Sequence, residues 1–231
     1  MTSLSHWCRN MGEDFFSLGI ERVPVGETIQ VDIPLKFAAA ASGLAATYGW
    51  RLHINDTTEM EGIEFADVLI QMAAEIAQAR GTNMRSLREI LAPGTPWIEQ
   101  PPLKSKKCVL YGRSRVTESL ERHLMLLDFQ PRIETDFDSL VFRADEIVIV
   151  ATQTPRDLDL VACAVIARSS HVAIVGDEKR AQSIIRHLNR SEEKMAKEPV
   201  YLPAGVDIGA RNADEMALSI VVEILLRGRM N

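Results

Sequence analysis

Three short apolar runs most constrain what this chain can become: Cys108–Tyr111, Ile147–Ala151 and His171–Val175. A strand with one wet face alternates apolar and polar residues, whereas an unbroken apolar run is buried on both sides. Between the runs lie stretches of helical period. Ser114–Leu127 turns Val116, Leu120, Leu124 and Leu127 to one face, and Leu158–Arg168, Glu178–Leu188 and Asp214–Leu226 are further helices. Pro131–Thr135 and Val200–Leu202 supply two more strands, and the third strand opens at Ala144. Strands buried on both faces, alternating with amphipathic helices, predict an α/β domain over residues 106–231: a parallel sheet with helices on both faces.

The preceding part of the chain reads differently. Residues 93–105 hold four of the ten prolines and no regular period, which predicts a linker. Residues 1–92 predict a small α+β domain. Its first strand, Glu27–Ile33, places Ile29, Val31 and Ile33 on one face; a helix over Phe37–Tyr48 follows, stopped by Gly49. Trp50–Ile54 is a second strand. Gly62–Arg80 is a long helix with Phe65, Leu69, Met72, Ile76 and Ala79 on one stripe, ended by Gly81, and Met84–Leu91 is a shorter one. No motif in the first hundred residues carries a chemistry that can be named.

Composition excludes several classes. The 231 residues are 46% hydrophobic and 25% charged, the profile of a globular protein with a sizeable core. A net charge of −6 disfavours nucleic acid as a partner. No run approaches the ~20 apolar residues of a membrane span. The chain opens with a polar stretch rather than a secretory signal, and its three cysteines share no metal-ligand spacing. The expectation is a cytoplasmic protein with reduced thiols and no metal site. Cys108 and Cys163, set in apolar runs, read as core residues.

In parallel sheets ligands sit at the carboxyl ends of the strands, so those ends hold the candidate site. After the first strand the chain reads Gly112-Arg113-Ser114-Arg115-Val116-Thr117, which sets Gly112, Ser114 and Thr117 at the three glycine positions of the GxGxxG dinucleotide fingerprint. Gly112 can make the tight turn; Ser114 narrows the approach of a pyrophosphate while offering a hydroxyl; Thr117 weakens close helix–strand packing. Arg113 and Arg115 add positive charge beside a helix N-terminus, which already favours phosphate. Asp136, 24 positions after Gly112, stands where a ribose-binding carboxylate belongs. The pattern predicts a Rossmann-type topology, with either a bound dinucleotide or a vestigial, empty loop. Thr152, Gln153 and Thr154, then Gly176, Lys179 and Arg180, lie at later strand ends, where helix caps and plain turns are the competing reading.

The segment Gly205-Val-Asp-Ile-Gly-Ala-Arg-Asn-Ala-Asp-Glu-Met-Ala-Leu-Ser-Ile220, continuing to Glu223-Ile224, resembles the G-[LV]-D-I-G-A element and following helix of the XdhC/CoxI-type maturation factors of molybdenum hydroxylases. Thr152–Leu160 is similar to that family's T-H-D-x-x-x-D-L element, and Val175–Arg180 to its I-G-S-x-x-K/R element. The resemblance spans roughly residues 105 to 228. Two departures stand out. The first turn lacks the family's GAGHVG pattern, and its usual N-terminal domain is not recognisable. The chain therefore resembles a divergent, shortened member, of the kind that serves carbon monoxide dehydrogenase. The resemblance implies a dimeric chaperone that binds or delivers the molybdenum cofactor, as a pterin cytosine dinucleotide, or FAD, to an apo molybdenum hydroxylase, alone or with other maturation factors. It also implies Asp207 as a site residue, although a turn or cap carboxylate is an equal reading. Two rivals remain: an NAD(P)-dependent oxidoreductase, for which no histidine is an obvious acid or base, and a scaffold that binds the hydroxylase without a cofactor. No catalytic residue is assigned.

Overall fold

The computed structural model describes residues 28–56, 64–82, 107–177, 179–180, 183–184, 186 and 200–230. The expected helix at Met84–Leu91 and the linker lie outside the described residues. The chain divides into two compact units, Met1–Thr95 with Asp207–Asn212, and Pro96–Val206 with Ala213–Asn231.

In the first unit β1 (Thr28–Ile33) pairs in parallel with β2 (Arg51–Asp56), Thr28 opposite Arg51 and Ile33 opposite Asp56. Parallel neighbours need a crossover, which here is α1 (Ala38–Thr47). Ile29, Val31 and Ile33 are buried as their alternation predicts. The long helix is α2 (Phe65–Ala79); Glu64 precedes it and donates its N–H to the Asp67 carboxylate at 2.8 Å. Its buried stripe runs from Phe65 to Ala77, so Ala79, the last helical residue, is exposed rather than part of the core face.

The second unit is the expected α/β domain. Its five strands are β3 (Lys107–Tyr111), β4 (Gln130–Glu134), β5 (Ile147–Val150), β6 (His171–Ile174) and β7 (Val200–Tyr201). All pair in parallel, in the order β4-β3-β5-β6-β7. Among the described residues the helices with bounds are α3 (Arg115–Leu126), α4 (Asp157–Ile166) and α5 (Ala213–Met230); residues 179–180, 183–184 and 186 are helical too, and the rest of the expected Glu178–Leu188 helix lies outside the described residues. Val109, Tyr111, Val148, Val150, Val172 and Ile174, at every second position, form one core face with Leu160, Val161 and Ala164 of α4. The crossover from β4 to β5 contains no helix; Phe137, Leu140 and Phe142 from this irregular segment pack against that same core. The third strand opens at Ile147 rather than Ala144, because Asp145 takes a left-handed φ of 65° and turns the chain just before it.

Helix ends follow one rule. After α1, α2, α3 and α4 the residue one past the C-cap is left-handed, at Gly49 (φ 81°), Gly81 (67°), Asp128 (60°) and Arg168 (61°). In each case the next N–H returns to a carbonyl five residues back, Trp50 to Ala45, Thr82 to Ala77, Phe129 to Leu124 and Ser169 to Ala164. Two of these stops use glycine, and two use residues that pay for the conformation. A further expectation fails: Cys163 is exposed while Cys108 is buried. From Leu158 to Ile166 α4 is apolar at nearly every position, so its sequence does not distinguish the sheet-facing side.

Candidate functional site

The carboxyl ends of β3, β5 and β6 form a contiguous edge, and the chain reverses between β3 and β5, the place where doubly wound sheets bind ligands. Gly112 leaves β3 with φ 106° and donates its N–H to the Glu134 carbonyl at 2.8 Å. A Cβ there would stand 2.5 Å from Thr152 Cγ2 and 3.1 Å from the Ala151 carbonyl oxygen. Glycine at 112 is thus demanded by both backbone and space, and the first turn packs directly on the β5 loop.

The two replaced glycines act together. Ser114 N-caps α3: its Oγ accepts the Thr117 N–H at 3.3 Å. Thr117 Oγ1 accepts the Ser114 N–H at 2.9 Å and donates to the Ser114 carbonyl at 2.8 Å. Thr117 is fully buried in this reciprocal cap. The Ser114 N–H, which a glycine-rich loop would offer to a pyrophosphate, is therefore engaged. The N–H groups of Arg115 and Val116 still lack an intrahelical acceptor, as first-turn donors do. Arg113 and Arg115 are exposed, without an ion-pair partner among the described residues. Free guanidinium groups beside a helix N-terminus fit a phosphate. Asp136 lies past the end of β4, exposed, and its Oδ1 accepts the Asp138 N–H at 3.1 Å, an Asx-type turn.

At the β5 and β6 ends the organising residue is Asp157, the first residue of α4. It is 1% exposed. Its Oδ1 accepts Thr152 Oγ1 at 2.6 Å and Thr154 Oγ1 at 2.7 Å, and its Oδ2 accepts the Thr154 N–H at 3.2 Å and Arg180 Nη2. Arg180 reaches this point across the mouth of β6 because Gly176 has no side chain; a Cβ at 176 would lie 2.7 Å from Arg180 Cδ. The Asp177 carboxylate fixes the base of that arm by accepting the Arg180 N–H at 2.8 Å. Arg180, Asp157, Thr154 and Gln153 line an open cleft of about 220 Å³ with Leu158 and Ile184. Lys179 is exposed beside it in sequence.

The Gly205 segment has a structural explanation. Gly205, at φ 95°, donates its N–H to Glu223 Oε2 at 2.8 Å, and a Cβ there would stand 2.4 Å from Ser219 Oγ. Val206 donates to the Ser219 carbonyl at 3.2 Å. Burial pushes the Glu223 carboxyl above its usual range, while the Gly205 N–H and Arg227 pull the other way. Gly205, Ser219 and Glu223, prominent in the sequence element, thus clamp the turn onto α5. Asp207 Oδ1 accepts the Gly209 N–H at 3.0 Å, inside the Asp207–Asn212 segment that belongs to the first unit.

Neither described histidine of this domain offers acid–base chemistry near neutral pH. Burial pulls His123 down to about 4 and His171 down to about 3. His123 Nδ1 lies 2.6 Å from the Ser119 carbonyl, and His171 stacks on Tyr201 at 4.4 Å. Among the described residues no group of acidic, His or Cys side chains could hold a metal ion, and no helix is long and apolar enough to cross a membrane.

A sheet of parallel strands with its switch point beside a glycine turn defines a Rossmann-type architecture. The family model of the XdhC Rossmann domain matches residues 35–224, and the chain belongs to that family. The match reaches back across the first unit, well before the stretch in which the resemblance is legible by eye. A xanthine dehydrogenase from Bacillus halodurans is similar in structure over 55% of this chain, with 18% identity and a TM-score of 0.46; the chain spans 46% of that protein's length. A hypothetical protein from Methanococcus jannaschii, whose structure was taken to imply 3-hexulose-6-phosphate isomerase function, is similar over 73% of this chain and 90% of its own, with 14% identity and a TM-score of 0.34. No curated protein matches the sequence.

Proposed function

We propose that this chain is an accessory protein in the maturation of a molybdenum hydroxylase of the xanthine or carbon monoxide dehydrogenase type. It holds a dinucleotide-like cofactor, the molybdenum cofactor as a pterin cytosine dinucleotide or FAD, for delivery to the apo-hydroxylase. The observation that carries the reading is membership of the XdhC Rossmann domain family across residues 35–224. It is supported by two exposed arginines at the N-terminus of α3 with no ion-pair partner among the described residues, a cleft at the adjoining strand ends and an exposed Asp136 past the end of β4. Arg113 and Arg115 would hold the pyrophosphate, and bound cofactor would supply the redox chemistry only after transfer to the hydroxylase.

One observation favours a second reading, a scaffold that recruits the hydroxylase without a cofactor: Thr117 Oγ1 occupies the Ser114 N–H. Isothermal titration with FAD, NAD(P) and a cytidine-containing dinucleotide, repeated on Asp136→Ala, separates the two. Binding of FAD or the cytidine compound that weakens on substitution supports cofactor handling. NAD(P) binding alone would return the oxidoreductase, and no binding at all would leave the scaffold.

A further inference from the structure

The cleft at the β5 and β6 ends and the arginine-bearing turn after β3 have opposite characters, and the contrast assigns them different parts of one ligand. At about 220 Å³ the cleft is smaller than the ~300–1,000 Å³ of pockets that enclose a whole drug-sized ligand. It has room for one ring system, and the remainder of a dinucleotide must lie outside it. Its walls are also electrically spent. Among the described residues, the charged ones lining it are Asp157 and Arg180, which are paired with each other. The Asp157 carboxylate already accepts four hydrogen bonds, and Arg180 Nε is buried against Gly176 without a partner among the described residues. A phosphate entering here would have to displace a buried carboxylate from its arginine and then sit beside that carboxylate, which like-charge repulsion opposes. What the cleft does present is uncharged: the amide of Gln153 and the hydroxyl of Ser183, between the apolar surfaces of Pro155, Leu158 and Ile184. Apolar side chains set beside amide and hydroxyl groups suit a heterocycle bearing carbonyl and ring-nitrogen acceptors.

The turn after β3 is the reverse case. It offers no comparable enclosure, but it carries Arg113 and Arg115, both exposed and unpaired among the described residues, at the positive end of a twelve-residue helix. The two places adjoin, since Gly112 packs on Thr152 and Thr152 hydrogen-bonds Asp157.

Resting on the cofactor-handling reading, we propose that the ligand binds with a fixed polarity: its neutral heterocycle enters the β5–β6 cleft, and its phosphates lie outside on Arg113 and Arg115. Asp157 enforces this by cancelling the charge of Arg180.

The test uses the full chain and three uncharged ring compounds, riboflavin, cytidine and a hydroxymethylpterin, beside FAD and inorganic pyrophosphate. At least one ring compound is expected to bind with the same affinity at low and high salt, to resist competition by pyrophosphate, and to be unaffected by the double substitution Arg113→Ala/Arg115→Ala. The matching dinucleotide should lose about tenfold or more on that double substitution, as expected for losing charge-assisted contacts. Ser183→Trp, at an exposed wall position, should plug the cleft and abolish ring binding while leaving the fold intact by circular dichroism. Displacement of the ring compound by pyrophosphate would overturn the proposal. So would dinucleotide binding with no ring compound bound and no effect of Ser183→Trp. Ring binding without dinucleotide binding would keep the cleft assignment and sink the cofactor-handling reading, and absence of both would sink the two together.

Discussion

Replacing Asp157 by alanine tests how the carboxyl edge is held together. The substitution removes an acceptor of four hydrogen bonds that is 1% exposed, and strands the guanidinium of Arg180, whose side chain is 19% exposed. Removing one partner of a buried ion pair costs about 3–5 kcal/mol, because the other charge stays desolvated. Arg180 can recover some water through its exposed fifth, and the Thr154 side chain is already at the surface, so the lower end, about 3 kcal/mol, applies here. For a chain of this size each kcal/mol lowers Tm by roughly 2–4 °C, giving a fall of about 6–12 °C by scanning calorimetry. The charge argument makes a sharper claim about the double variant Asp157→Ala/Arg180→Met. Its stranded charge is gone, so it should melt above Asp157→Ala alone. A fall of under about 2 °C in the single variant, or a double variant that melts lower still, would refute the reasoning.

Further perturbations address other parts of the fold. Gly112→Ala forces a side chain onto φ 106° and into Thr152, and should cost about 2–4 kcal/mol in urea denaturation, with Thr152→Ser recovering only the steric part. Arg168→Gly should act in the opposite sense, raising stability by about 1 kcal/mol, because the left-handed stop after α4 then carries no Cβ; a destabilised variant would show that the Arg168 side chain matters more than its backbone. His171, drawn down from its usual 6.5 to about 3, favours the folded state only while neutral. Its contribution is complete above pH 6.5 and is lost progressively as pH falls toward 3, so His171→Leu should flatten the stability profile across that interval. Unchanged slopes would contradict the burial that sets the shift. In a Cys8→Ser background a thiol reagent should label Cys163 in the native protein. Cys108, whose thiol burial pushes up to about 12, should react only after unfolding, and early labelling of Cys108 would disprove its place in the core.

The alternation of elements was legible where a strand is apolar throughout, as in Ile147–Val150, and where α3 carries Leu120 and Leu124 at helical spacing. The orientation of α4 was not, since a helix apolar at nearly every position gives no face, and Cys163 ended up outside. The same limit hid the core of the site. Asp157 looks like any acidic residue in a first helical turn, and Arg180 follows it by 23 positions; only the side-by-side pairing of β5 and β6 brings them together. Ser114 and Thr117 were visible as substitutions at glycine positions, but their reciprocal cap needed the geometry, because threonine stands where a capping box has glutamate or glutamine.

That cap has a consequence for the economy of binding and release. Where a glycine-rich loop leaves donors open at a helix start, the ligand becomes a piece of the helix, and losing it leaves the first turn ragged. Here Ser114 and Thr117 satisfy each other's N–H groups from within the chain, so the start of α3 is capped with or without a guest. Whatever binds at this turn can therefore add stability only by mass action, about 2.7 kcal/mol at a hundredfold excess over Kd. A turn built this way can release a ligand without first coming undone.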